Sequence, residues 1–383
     1  MPRLALASLA ALLLALLPGC PPPCEDAPLM PVGAPAFIVE LSDRGSPDRP
    51  QDGGPPSLDV PRSALALYAA DGTILSDRWL DTTTRWQGAR GTFDGLDALP
   101  WHQEPGRVTF AIDDPPSIVA IEPSTAAVAR NLVLPPGGAV TDLASSLIAR
   151  TDGLALIDLE TGAAVRAIDL DVLAGEGTRP ARVAPFASGS FAVGLARRSE
   201  ESGAVAIVEA ATGAAARLDI AGLRACTEVS ALDGDPPRVA VLCAGDPSTH
   251  EQAGLALLEA GESVRVATIR SGIVPAPTEA LVGASDGWVA VLARGTAETP
   301  DLLLAVNLDT GAITRLREER WSPRFGPALG EGAFDPITGE LWWPSVELGI
   351  ARFRLEATGF VAIDPLATPA CQRSPARRIR HLP

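Results

Sequence analysis

The sequence predicts an all-β chain, a seven-bladed β-propeller of four-stranded antiparallel blades spanning residues 36–370. Three observations predict it. A strand–turn–strand unit, clearest in GLALIDLETGAAVRAIDL from Gly153 to Leu170, recurs down the chain. Its turn is found at Ala70-Asp71-Gly72, Ser124-Thr125-Ala126, Glu160-Thr161-Gly162, Ala211-Thr212-Gly213, Ala260-Gly261-Glu262, Asp309-Thr310-Gly311 and Ala357-Thr358-Gly359. A period of roughly 40–50 residues with several short strands per unit is that of propeller blades. Finally, segments such as Leu302–Leu308 are apolar almost throughout instead of alternating. A sheet buried on both faces requires that pattern, and stacked blades bury both faces.

The elements follow in chain order. Residues 1–19 read as an export signal: Arg3 is the one basic residue, and Leu4 to Leu17 is apolar except for Ser8. That run is shorter than the roughly 17–25 residues of a membrane span but suits a signal-peptide core. Residues 20–35 open on Cys20-Pro21-Pro22-Pro23 and continue in Pro, Ala and Gly. They form an extended tether. The first blade draws on Pro35 to Asp71, with its inner strands beginning at Phe37–Leu41. In the third unit, Val140–Ala144, Ser146–Arg150, Leu154–Leu159 and Ala163–Leu170 supply four strands. Most of the turns end in Gly, as a hairpin needing positive φ prefers. With 36 Pro and 36 Gly and little 3.6-residue periodicity, long helices are not expected. Residues 371–383 carry Arg373, Arg377, Arg378 and Arg380 and read as a basic, solvated tail.

Charge and cysteines narrow the setting. The 383 residues carry a formal charge of −16 with 46% hydrophobic residues, and every basic side chain apart from three His is Arg. A chain this apolar buries a large core, and a body this acidic repels nucleic acid. Beyond Cys20 there are four cysteines, which allow three pairings. Cys226 and Cys243 sit symmetrically about Asp233-Gly234-Asp235-Pro236. They face each other on a hairpin if no bulge intervenes, which leaves Cys24 to pair with Cys371 across the closing ends of the ring. No Cys/His spacing matches a zinc site.

Catalytic signatures are sparse. His102, His250 and His381 stand in no paired arrangement, and the first two read as surface-loop residues. Gly283-Ala284-Ser285-Asp286-Gly287 matches the G-x-S-x-G pattern, but a strand, Trp288–Leu292, follows it where a nucleophile elbow requires a helix. It reads as an inter-strand turn. Asp43, Asp48, Asp52 and Asp113-Asp114 lack calcium-loop spacing and read as solvated charges. Neither a cofactor nor a metal is expected. Trp79, Trp86, Trp101 and the adjacent pair Trp342 and Trp343 form a candidate aromatic binding surface, with one of that pair expected to pack between blades.

Two resemblances add to this reading. Leu17-Pro18-Gly19-Cys20 resembles the lipobox of bacterial lipoproteins. That resemblance implies cleavage before Cys20, lipidation of its thiol and acylation of the new amino terminus. The absence of Asp at position 21 favours the outer over the inner membrane. Ile157-Asp158-Leu159-Glu160-Thr161-Gly162 and Val306-Asn307-Leu308-Asp309-Thr310-Gly311 resemble the repeats of YVTN-type and quinoprotein-type propellers. Asp335-Pro336-Ile337-Thr338-Gly339 resembles the hairpin between the two inner strands of such a blade. Lipobox and propeller together resemble the scaffold lipoprotein of the outer-membrane barrel assembly machinery. The expectation is therefore an exported lipoprotein, anchored in the bilayer through Cys20, whose propeller binds a protein partner of an envelope complex. The alternatives are a propeller enzyme of lactonase or quinone-dependent dehydrogenase type and a glycan-binding adhesin. Three or more charged or imidazole side chains at one mouth of the channel would favour the enzyme; a lining of Ala, Gly and Ser would not.

Overall fold

The computed structural model describes residues 33–42, 63–81, 101–104, 107–113, 116–125, 127–187, 189–197, 203–246, 249, 251–261, 263–273, 278–296, 298–322, 327–369 and 375–382. Among them are seven four-stranded antiparallel sheets, the blades of a propeller. Blade one contains β1 (Phe37–Ser42), β2 (Ser63–Tyr68) and β3 (Ile74–Asp81). Blade two contains β4 (Trp101–Glu104), β5 (Arg107–Asp113), β6 (Pro116–Ile121) and β7 (Val128–Val133). Blade three contains β8 (Val140–Ala144), β9 (Leu147–Arg150), β10 (Gly153–Ile157) and β11 (Ala164–Ile168), within a residue or two of the expected strands at most ends. A short helix, α1 (Leu170–Ala174), capped by the Asp169 carboxylate on the amides of Asp171 and Val172, leads to blade four.

Blade four contains β12 (Thr178–Phe186), β13 (Ser190–Arg197), β14 (Ala204–Glu209) and β15 (Ala215–Asp219). Blade five contains β16 (Cys226–Leu232), β17 (Arg238–Cys243), β18 (Gly254–Glu259) and β19 (Arg265–Ser271). Blade six contains β20 (Thr278–Gly283), β21 (Trp288–Ala293), β22 (Asp301–Asn307) and β23 (Ile313–Glu319). Blade seven contains β24 (Ala333–Asp335), β25 (Glu340–Ser345), β26 (Gly349–Glu356) and β27 (Gly359–Leu366). The last strand, β28 (Ala376–His381), returns to blade one and pairs with β1.

That return corrects two expectations. The basic segment at the C-terminus is a strand from Ala376 to His381, and it is the innermost strand of blade one. Phe37–Ser42 is consequently the second strand of that blade, not the first. The physical reason lies in Ala376 and Ile379, which the bulge at Arg377 brings to the face buried against blade seven, and in Leu382 just beyond the strand, buried against blade two, with the Arg residues between them. A strand with buried apolar residues on both faces is held between its neighbours whatever its formal charge.

All seven turn markers fall between the third and fourth strands of their blades. Two of them share one chemistry. The Asp158 carboxylate accepts from the amides of Glu160 and Thr161, and the Gly162 amide donates to the Asp158 carbonyl at 2.8 Å. Asn307 does the same for Thr310 and Gly311. Gly162 and Gly311 hold φ of +74° and +80°, which residues with a Cβ adopt only at a cost.

The core is a ring of seven apolar clusters among the described residues, one at each junction between neighbouring blades. Strand β17 shows how one strand serves two of them. Val239, Val241 and Cys243 face blade four, whereas Ala240 and Leu242 face blade six. Both faces being core, the alternation expected of a half-exposed strand disappears.

A candidate site in the central channel

The innermost strands of the blades surround a cavity of about 380 Å³. It is lined by Asp142 of β8, Arg182 of β12, Glu228 of β16, Glu331 just before β24, and Arg380 and His381 of β28. Five innermost strands carry a bulge, β28 among them at Arg377. Pairing slips between Val140 and Asp142, between Pro180 and Val183, between Cys226 and Glu228, and between Thr278 and Ala280. A bulge re-aims the side chain next to it, and those of β8, β12 and β16 stand at a charged channel residue.

Near the axis the backbones crowd. A Cβ on Gly283 would collide with the carbonyl oxygen of Ala231, and one on Gly330 with that of Arg377. Polar groups tie neighbouring blades where the backbones meet. The Ser230 hydroxyl accepts from the Gly283 amide at 2.8 Å, and the Asp142 carboxylate accepts from the Val183 amide at 2.8 Å.

Glu331 is the centre of the charge cluster. Its carboxylate accepts from Arg380 at 2.8 Å and pairs with Arg378 at 3.2 Å and Arg182 at 3.5 Å. Arg182 belongs to blade four, so the last contact crosses the channel between blades that are not neighbours. Arg182 also donates to Glu228 at 3.2 Å, and Arg378 lies 3.8 Å from the buried carboxylate of Glu40 on β1. The backbone repeats the link: the Glu331 amide donates to the Arg377 carbonyl at 2.9 Å, and the Ile379 amide to the Glu331 carbonyl at 2.8 Å. At the end of β28, His381 Nε2 lies 3.2 Å from the Asp335 carboxylate.

Burial and charge set the protonation states. Burial pushes the Glu331 carboxyl upwards, but Arg380, Arg182 and Arg378 together outweigh it and hold it well below the carboxylate range. Burial raises the Glu228 carboxyl to about 7, against the pull of Arg182 alone, with Glu331 and Asp142 adding to the rise. Burial also raises Asp142, opposed by Arg182 and by the Val183 and Leu143 amides. His381 is lowered by burial, with Asp335 opposing.

The structure redistributes the residues singled out from sequence. Trp79, Trp342 and Trp343 are fully buried, so they form no exposed binding surface. Trp79 packs between blades one and two. Trp342 stacks on Phe37 with ring centroids 3.8 Å apart and seals blade seven to blade one. Trp343 faces the other way, into the junction with blade six. Adjacent residues of one strand point to opposite faces, and here both faces are interfaces, so both rings pack between blades. Trp86 and the side chain of Trp101 lie outside the described residues. So do Cys20, Cys24, Cys371, His250 and the acidic residues Asp43, Asp48, Asp52 and Asp114. His102, read as a loop residue, stands within strand β4.

Cys226 and Cys243 are bridged. The bulge at Thr227 does intervene, and it is what makes them partners: the regular register from Leu232–Arg238 to Glu228–Leu242 would set Cys243 opposite Thr227. Gly283–Gly287 is the turn between β20 and β21. Among the described residues no group of His, Cys, Asp and Glu is arranged to hold a metal ion. Asp142, Arg182, Glu228 and Glu331 were not singled out by sequence reasoning. The available signal was a lone charge inside an apolar inner strand, as in the parallel pair Thr141-Asp142-Leu143-Ala144 and Thr227-Glu228-Val229-Ser230.

No protein-family model and no curated protein matches the sequence. Among solved structures, a protein from Lactobacillus plantarum is similar with a TM-score of 0.54 and 13% identity, over 91% of this chain and 99% of that one. A candidate 6-phosphogluconolactonase from Bacteroides fragilis is similar with a TM-score of 0.53 and 9% identity, over 91% and 98%. The β-propeller domain of Cps50 (Swd1) from Myceliophteria thermophila gives 0.52 and 12%, over 84% and 97%. What they share with this chain is the propeller fold. At such identities the likeness assigns neither a repeat family nor an activity.

Proposed function

We propose that the chain is an exported lipoprotein, held to the outer membrane by acyl chains on Cys20, whose propeller is a binding or scaffold module for a protein partner of an envelope complex. The observation that carries the export is the Cys226–Cys243 bridge, because disulfides persist in oxidising compartments and are rare in reducing ones. The anchor rests on Leu17-Pro18-Gly19-Cys20 and the Pro-rich segment after it. Two or more acyl chains hold a protein stably to a bilayer, where one would hold it marginally. Labelled palmitate fed to expressing cells tests the anchor. The wild-type chain takes up label and fractionates with membranes, whereas Cys20→Ser does neither; equal labelling of the two would sink the reading.

One observation favours a second reading, a propeller enzyme. Arg182, Glu228, Glu331, Arg380 and His381 converge on one cavity, and groups with displaced protonation equilibria concentrate at reactive sites. Against it, the strongest charges neutralise each other. Hydrolysis of a panel of sugar and aliphatic lactones by the purified chain, abolished by Glu228→Gln, would place the enzyme first.

A further inference from the structure

Ion pairs in the channel are not equally firm. Both oxygens of Glu331 are engaged, by Arg380, Arg182 and Arg378. Both oxygens of Asp142 accept backbone amides, from Leu143 and Val183. Glu228 differs, having Arg182 as its one side-chain partner among the described residues, at 3.2 Å. Arg182 in turn is held by that bond and by a longer 3.5 Å contact with Glu331. Both side chains retain access to the cavity, Arg182 at 27% and Glu228 at 18% exposure. The Arg182–Glu228 pair is therefore the one an incoming group can open.

Guanidinium groups keep their charge in proteins, whereas a crowded carboxylate can take up a proton. When the cluster relieves its crowding, it does so on the acidic side, at Glu228, and leaves Arg182 without that counter-charge. A planar guanidinium released from Glu228 presents paired N–H donors that match a carboxylate or a tetrahedral oxyanion.

We propose that the channel cavity is a binding site for a small anion, a carboxylate or tetrahedral oxyanion, which replaces the Glu228 carboxylate on Arg182 and lies against Arg380. The proposal stands whether or not the chain is anchored and whether or not the ligand is turned over. Glu228 faces Arg182 from β12, Asp142 from β8, Glu331 from the start of blade seven, and Arg380 and His381 from β28 across the cavity. Displaced from Arg182 and left beside Glu331 and Asp142, Glu228 takes up a proton. Anion binding is thus coupled to proton uptake and strengthens as pH falls through about 7.

The test is titration of the full chain with acetate and, separately, with sulfate, both ionised throughout the range from about pH 6 to about pH 8. At least one binds, about tenfold more tightly at the lower pH, since Glu228 passes from mostly neutral to mostly charged across that interval. Acetate alone binding assigns a carboxylate ligand, and sulfate alone a tetrahedral oxyanion. Arg182→Gln abolishes binding. Glu228→Gln binds at the upper pH as the wild type does at the lower and loses the pH dependence, a result that suffices if Arg182→Gln does not fold. The proposal is overturned if neither anion binds, if Arg182→Gln or Glu228→Gln behaves as wild type, or if spermidine binds in place of the anions.

Discussion

Glu228 and Glu331 lie in one cavity, yet their surroundings push them in opposite directions, and stability should follow. The folded-state equilibrium of Glu331 is depressed, so its contribution is present above the unfolded carboxyl value and fades as pH falls through that range. Glu331→Gln leaves three half-buried guanidiniums short of their shared partner and should cost about 3 kcal/mol at neutral pH in denaturant unfolding. For Glu228 the sign reverses. Its carboxyl is raised to about 7, so its charge penalises the folded state increasingly as pH rises from the unfolded value through 7. Glu228→Gln should therefore stabilise the chain by about 1–3 kcal/mol near pH 8 and change little near pH 5. Thermal unfolding at the two pH values checks this, and a stabilisation independent of pH would contradict it. The lone charge at Glu228 was visible in the sequence, but the opposite pulls on Glu228 and Glu331 were not. A charge in an inner strand reads as solvated until a bulge is known to turn it towards the axis.

At the scale of elements, the blades hold together through aromatic and apolar seams, and the seam between the last blade and the first is the one that closes the ring. Trp342, stacked on Phe37 and edge-on to Tyr68 at 6.0 Å, is its largest buried side chain. Trp342→Ala should cost about 3–5 kcal/mol, read as a fall in the urea midpoint. Trp343→Ala should cost as much through the junction with blade six, and a negligible loss at either site would contradict the packing. The Cys226–Cys243 bridge closes a loop with a sequence separation of 17. In the chain-entropy model such a loop is worth about 3 kcal/mol, so the double Cys→Ser variant should lose up to that amount. The turns and most strands could be read from the sequence because each is a local signal: Asp158 and Asn307 cap their turns, and Gly162 and Gly311 supply the positive φ. The facing of Trp342 and Trp343 could not, because it depends on which blades lie to either side.

On the scale of the whole molecule, one fact organises the rest: β28 comes back from the C-terminus to complete blade one. It pairs with β1 on one side and links to Glu331 on the other, so the backbone of β28 joins blade one to blade seven. The same strand brings Arg378 and Arg380 to the channel, and closing the ring and building the charge cluster are one event. The period of the repeats predicted the number of blades, but not which end of the chain supplies the missing inner strand. That choice is non-local, settled by the fit of Ala376 and Ile379 against Phe37, Val39 and Trp342. Removal of residues 376–383 should strip the inner edge from β1 and take two of the three Arg partners from Glu331. Native-state hydrogen exchange of the full chain tests this closure most directly. The expected result is that the amides of Arg378, Ile379 and Arg380 exchange as slowly as those of β17, through unfolding of the whole ring. Exchange at the rate of an unstructured peptide would show that the segment is a free tail and would contradict the account.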